Sequence, residues 1–148
     1  MARVLLMQGA NMAWLGRRQP ELYGRDTAAE LDARVEAHAR RLGLSLDIFY
    51  THVEGEAIGR LYEAVDAGLD GLVMNPAGFS RTGYALRDAI VGCARLPYVE
   101  VHVTNVEKRG IRSVLAEAAM GVIAGFGLDG YRLALDAMAA HLERAQTP

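Results

Sequence analysis

Five short apolar runs recur along the chain: RVLLM, LSLDIFY, GLVMN, YVEVHV and GVIAG. Runs of this length, rich in branched and aromatic residues, read as buried strands. The constraint lies in what separates them, because each is followed by a stretch whose apolar residues return every three or four positions. Parallel neighbours need a long crossover, and a helix supplies it. After the first strand, TAAELDARVEAHARRLG puts Ala28, Leu31, Val35, His38 and Leu42 on one helical face. Thr27 and Glu30 form a capping box at its start, and Gly43 stops it. Further helices are predicted over Glu54–Ala67, about Thr82–Cys93 and about Ser113–Ala119, and Pro97 opens the fourth strand. A last helix carries Tyr131, Leu135, Met138 and Leu142 on one stripe.

The predicted fold class is α/β, a flavodoxin-like doubly wound five-stranded parallel sheet with helices on both faces. The 148 residues show no repeats, linkers or low-complexity segments, so a single domain over 1–148 is expected. A formal charge of −2 gives no electrostatic reason to expect nucleic acid or an anionic membrane as partner. No apolar run approaches a membrane span, and the N-terminal segment does not resemble a signal peptide. The single cysteine, Cys93, sits in an apolar helical context and reads as a reduced core residue of a cytoplasmic protein.

In open α/β sheets, ligands sit outside the carboxyl ends of the strands, where the strand order reverses. The first strand runs directly into QGANMAWLGRRQPELYG, residues 8–24, with three glycines, a proline, Arg17, Arg18 and Tyr23. A loop of this length inside a compact domain is a candidate lid. The other strand ends offer Thr51, His52 and Glu54, then Asn75, Ser80, Arg81 and Thr82, then Glu100, His102, Thr104, Asn105 and Arg112. Glu100 and His102 are two apart, so one strand face would let the carboxylate orient the imidazole. The alternative is a strand-end histidine satisfied by backbone groups. A cation beside a phenol favours the ionised form and makes it a base, which is one reading of Arg18 and Tyr23. The other is a surface tyrosine and a solvated charge. Arg81 and Arg112 likewise stand as either anion-binding or solvent-facing residues.

Several motifs are set aside. GFGLDG fits G-x-G-x-x-G, but the 18 residues after it leave no strand to supply a ribose-binding acid, so its glycines read as a turn and cap for the last helix. GFSRTG misses the nucleophile elbow by one residue. His38, His52, His102 and His141 lack metal-ligand spacing, and no Walker-type phosphate loop occurs.

Together these segments resemble type II 3-dehydroquinate dehydratase, a small flavodoxin-like enzyme family of the shikimate and quinate pathways. QGANMAWLGRRQPELYG resembles the family's N-G-P-N-L-N-x-L-G-x-R-E-P-x-x-Y-G, and HVEGEAI its N-x-E-G-E-L-I. NPAGFSRTGYALRDA is similar to N-P-G-A-Y-T-H-T-S-x-A-L-R-D-A, EVHVTN to E-V-H-x-S-N, and GVIAGFGLDGYRLAL to the C-terminal segment. The resemblance implies anti elimination of water from a cyclic β-hydroxy ketone through an enolate. It makes Tyr23 the base, Arg18 its activator, Asn75 the holder of the enolate oxygen, His102 the acid and Glu100 the group that orients it. Asn11 matches an asparagine near the catalytic water. Thr104, the adjacent Val103 backbone and Arg112 match groups that bind the substrate's carboxylate and hydroxyls. The resemblance implies no metal or organic cofactor. It implies a dodecamer of trimers, with Asp88 reaching the neighbouring subunit's site.

The departures gather on substrate recognition. Arg81 stands where the family has a histidine, Gly83 where it has a serine, and the stretch between Asn105 and Gly121 is about three residues short. Trp14 and Phe79 are candidates for a more apolar pocket wall. Three readings follow: a 3-dehydroquinate dehydratase that accepts Arg81, a relative acting on another cyclic β-hydroxy carbonyl compound, or a non-catalytic ligand-binding oligomer.

Overall fold

Alternation within each strand divides the apolar side chains between two helical layers. The chain runs β1 (Ala2–Ala10), α1 (Pro20–Tyr23), α2 (Ala28–Arg41), β2 (Leu44–Tyr50), α3 (Glu54–Asp66), β3 (Gly71–Ala77) and α4 (Phe79–Thr82). It continues through α5 (Tyr84–Gly92), β4 (Tyr98–His102), β5 (Gly121–Ala124) and α6 (Asp129–Gln146). The computed structural model describes all residues, 1–148. Val4, Leu6, Val73, Val99 and Val101 face a layer built by α2 and α6, where Leu31, Val35, Tyr131, Leu135 and Met138 receive them. Leu5, Met7, Leu72, Met74 and Tyr98 face the opposite layer, against Ala57 and Leu61 of α3 and Leu86 and Ile90 of α5. This is the two-residue period of a strand buried on both sides.

All strand pairs are parallel, in the order β2-β1-β3-β4-β5. That is the flavodoxin-type order, with its reversal between β1 and β3. No helix is long and apolar enough to cross a membrane.

Three segments differ from the sequence reading. Ser113–Ala119 is not an α-helix; it holds only a 3-10 turn at Ala116–Ala118. Ser113 Oγ accepts the Leu115 N–H at 3.2 Å, and such local side-chain bonds compete with helical ones. The helix expected over Thr82–Cys93 begins earlier and breaks into α4 and α5 at Gly83, where a side chain would lie 2.5 Å from the Phe79 carbonyl oxygen. Glycine at that position therefore answers to the backbone path. The loop expected over residues 8–24 starts later, because β1 runs on to Ala10; the remainder carries a 3-10 turn at Met12–Trp14 and the single turn α1, started by Pro20, whose fixed φ suits a helix start.

The reversal point is tight. A Cβ on Gly9 of β1 would lie 2.2 Å from the Pro76 carbonyl oxygen of β3. Gly9→Ala is therefore expected to force β1 and β3 apart and destabilise the fold by about 2–3 kcal/mol. Urea unfolding measures this, and an unchanged midpoint would show slack between the strands.

Candidate active site

One cavity opens at the carboxyl ends of β1, β3 and β4, beside the reversal point, and Asn11, Arg18, Tyr23, Asn75, Arg81, His102, Val103 and Thr104 all line it. Its roof is the segment after β1. Met12 and Leu15 are buried and pin that segment at one end, and half-buried Tyr23 packs against the α2–α6 layer at the other. Residues 17–22 between them are exposed. The Arg18 guanidinium lies over the Tyr23 ring, 5.3 Å from its centroid.

Beneath the roof, Glu100 and His102 occur on the same face of β4, as their spacing predicts. Glu100 Oε2 meets His102 Nε2 at 2.7 Å, so Nδ1 is the ring nitrogen free of the carboxylate. Glu100 has no exposure, and its other oxygen accepts hydrogen bonds from Tyr98 at 2.7 Å and Ser113 at 3.1 Å. Burial, then the charge of Glu100, push the Tyr98 phenol well above its ordinary range, so it stays a donor. A buried carboxylate with this many partners can hold an imidazolium without leaving a charge unpaired. The turn at Gly125 and Gly127 fixes the strand end from outside, its N–H groups donating to the carbonyls of His102 and Val103.

Asn75, at the end of β3, is buried and lines the same cavity. Its Oδ1 accepts the Ala77 N–H at 3.0 Å, and its Nδ2 donates to Tyr131 at 2.8 Å. Asn11 adopts a left-handed backbone conformation, φ 73°, and its N–H donates to His52 Nδ1 at 2.9 Å. The imidazole thus anchors the turn that carries Asn11, although His52 does not line the cavity. Thr51 and Glu54 are also absent from it: Thr51 donates to Glu56, and Glu54 accepts the Leu86 N–H.

The cationic residues are arranged differently from the reading of the sequence. Arg112 is exposed and does not line the cavity. Arg109 does, donating to Thr104 at 3.0 Å and to the Tyr23 hydroxyl at 3.3 Å. A tight turn over 105–110, closed by backbone hydrogen bonds such as Ile111 N–H to the Val106 carbonyl, places Arg109 at the cavity. Arg81 lines the cavity with no ion-pair partner. Asp88 points away on α5, exposed and paired with Arg87 at 3.2 Å. Neither proposed apolar wall is found: Trp14 is exposed under Arg17, and Phe79 is buried in the α3–α5 layer. Cys93 lies elsewhere, and burial raises its thiol, which disfavours a thiolate. No group of three or more His, Cys, Asp or Glu side chains is gathered as for a metal ion.

The chain and its fold have counterparts among known proteins. The family model for dehydroquinase class II matches residues 2–139. A 3-dehydroquinate dehydratase of Xanthomonas campestris pv. campestris (strain B100) is 43% identical over 147 residues, covering 97% of this chain and 99% of that protein. The crystal structure of the type II dehydroquinase from Propionibacterium acnes superposes with a TM-score of 0.88 at 36% identity, covering 95% of this chain and 97% of that one. The type II dehydroquinase from Butyrivibrio crossotus DSM 2876 gives 0.88 at 31% identity, covering 93% and 97%. The chain belongs to the class II dehydroquinase family.

Tyr98→Phe removes one of the partners of a carboxylate that has no access to water. It is expected to lower the unfolding free energy by about 1–3 kcal/mol. Urea denaturation near neutral pH reads this, and a variant as stable as the parent would show that Glu100 does not depend on Tyr98.

Proposed function

We propose that residues 1–148 act as one class II dehydroquinase-like domain, a hydro-lyase that converts 3-dehydroquinate to 3-dehydroshikimate by anti elimination of water. The observation that carries this is the meeting of Tyr23, its two guanidinium neighbours, Asn75 and the His102–Glu100 pair around one cavity. Tyr23, as phenolate, takes the proton α to the ketone, and the electron pair moves onto the carbonyl oxygen as an enolate. Arg18 and Arg109 place positive charge beside the phenolic oxygen and ring. Asn75 Nδ2 holds the enolate oxygen, through a water to which Asn11 also contributes. The enolate then collapses and expels the β-hydroxyl, which leaves as water with the proton of His102 Nδ1. Glu100 keeps the imidazole oriented and balances its charge. A base on the lid and an acid on the sheet suit departure from opposite faces of the ring.

The substrate is a small carboxylate, bound by Thr104 and the Val103 backbone, with Arg81 added where the family has a histidine. Arg109 occupies the cavity position expected of Arg112. A permanently charged planar fork in place of an imidazole changes recognition more than chemistry, so a related cyclic β-hydroxy carbonyl substrate is the second reading. In the dodecamer of trimers that the family resemblance implies, exposed Asp88 serves a neighbouring subunit's site. The enzyme belongs to cytoplasmic shikimate or quinate metabolism in this reading.

Incubation with 3-dehydroquinate, followed by absorbance of the conjugated enone, is expected to show turnover. Tyr23→Phe is expected to cut kcat by roughly 100-fold or more while leaving oligomeric size unchanged. Near-full activity of that variant would remove Tyr23 as the base. Arg81→His is expected to change KM more than kcat; an effect confined to kcat would place Arg81 in the chemistry. A well-folded oligomer inert toward 3-dehydroquinate would move the assignment to the second reading, and one that binds cyclic hydroxy ketones without turnover to a ligand-binding protein.

A further inference from the structure

Across the first three strands, Tyr50, Gln8 and Asn75 stand in one register row, β2 to β1 to β3. Tyr131 of α6 comes down onto this row from the helical layer, and Gln8 and Tyr131 have no exposure. Neither touches the cavity, whereas Asn75 lines it. We propose that Gln8 and Tyr131 are positioning residues that fix which way the Asn75 amide faces, by a hydrogen-bond chain that can run in one direction only. The inference rests on the reading of Asn75 as holder of the enolate oxygen.

The direction follows from the donors. The Ala77 backbone N–H can only donate, and it meets Asn75 at 3.0 Å, so that atom is Oδ1. Nδ2 therefore turns to Tyr131 and donates at 2.8 Å. With its lone pair so engaged, the Tyr131 hydroxyl sends its one proton to Gln8 Oε1 at 2.7 Å. Burial drives the Tyr131 phenol far above its ordinary range, so the proton stays in place across any assay pH. The row closes on its far side in the Tyr50 hydroxyl, which donates to Asp32 of α2 at 2.7 Å.

Two details point past simple packing. The second hydrogen of Asn75 Nδ2 has only Met12 Sδ, at 3.5 Å, and a thioether is a weak acceptor that a ligand oxygen displaces. Gln8 Nε2 is the one buried side-chain polar atom without a hydrogen-bond partner. The oxygen is the Gln8 atom with a close hydrogen bond, accepting the Tyr131 proton. Gln8 stands where the family motif begins with asparagine, and the longer side chain is what meets Tyr131 here.

Tyr131→Phe breaks the chain without changing volume. In the intact oligomer it is expected to lower kcat for 3-dehydroquinate by ~10- to 100-fold, with KM within about twofold. Combined with Asn75→Ala it is expected to add nothing to the loss from Asn75→Ala alone. An unchanged kcat, or additive losses, would overturn the inference. Should Tyr131→Phe fail to fold, Gln8→Met removes the acceptor and is expected to lower kcat in the same way; a fully active Gln8→Met would count against the chain. If the parent protein does not act on 3-dehydroquinate, the failure is that of the proposed function, and the chain is read by NMR instead. The Asn75 side-chain amide hydrogens are then expected to exchange slowly in the parent and markedly faster in Tyr131→Phe or Gln8→Met. Equal exchange rates would refute the inference.

Discussion

Much of the molecule is arranged around a carboxylate that never meets water. Glu100 sits on β4 with no exposure, and stripping an ionised carboxyl of solvent costs several kcal/mol unless its lone pairs are met. Tyr98, Ser113 and His102 meet them. Ser113 can do so only if the chain returns to the sheet, and that return ends any helix there. The same return closes the segment after Thr104 into a tight turn, with Ile111 N–H on the Val106 carbonyl. That turn presents Arg109 to Tyr23. One buried charge thus links the imidazole, an irregular loop and the cation beside the phenol.

The polar groups at the reversal point are supplied from opposite sides of the sheet. Tyr98, Glu100 and His102 share the face of β4 covered by α3 and α5, while Gln8, Asn75 and Tyr131 belong to the face covered by α2 and α6. Each network is held rigid within its own layer, and the two meet where β1 and β3 part. The segment after β1 adds Tyr23 from above, pinned by Met12 and Leu15. A site built this way needs little loop ordering to bring an imidazole, an amide and a phenol together, because regular elements hold two of the three.

The sheet and its helices were legible in the sequence because their signals are local: short apolar, branched and aromatic runs in β1, β3 and β4, and apolar spacing in α2 and α6. Asn75, Glu100 and His102 were legible for the same reason, since strand ends and a two-residue spacing are properties of short segments. What escaped depends on contacts between distant residues. Ser113–Ala119 has helical composition, yet Ser113 answers to Glu100, 13 positions earlier. Arg109 is chosen over Arg112 by the geometry of a turn that spacing does not reveal. Gly83 read as a lost recognition group, but the backbone of Phe79 leaves no room there for a side chain. Thr51 and Glu54 sit at a strand end like the others, but β2 is an edge strand away from the β1–β3 crevice, and they spend their polarity on α3 and α5.

Charge at the cavity runs against the charge of the protein. The chain carries a formal −2, yet Arg18, Arg81 and Arg109 line the cavity and no carboxylate does. A concave site with one sign of charge concentrates oppositely charged ligands. Two of those guanidiniums are already committed to Tyr23, one over its ring and one on its hydroxyl. Arg81 alone has no partner in the structure, so its charge is the one a ligand can claim. An imidazole at this position would offer one or two directed hydrogen bonds and a charge that depends on pH. The guanidinium offers a fixed charge and a planar fork, which favours a carboxylate or another flat anion over a ring hydroxyl. The groups around the cavity therefore differ in how they are held: buried networks hold Asn75 and His102, Arg18 and Arg109 hold half-buried Tyr23, and Arg81 is left free.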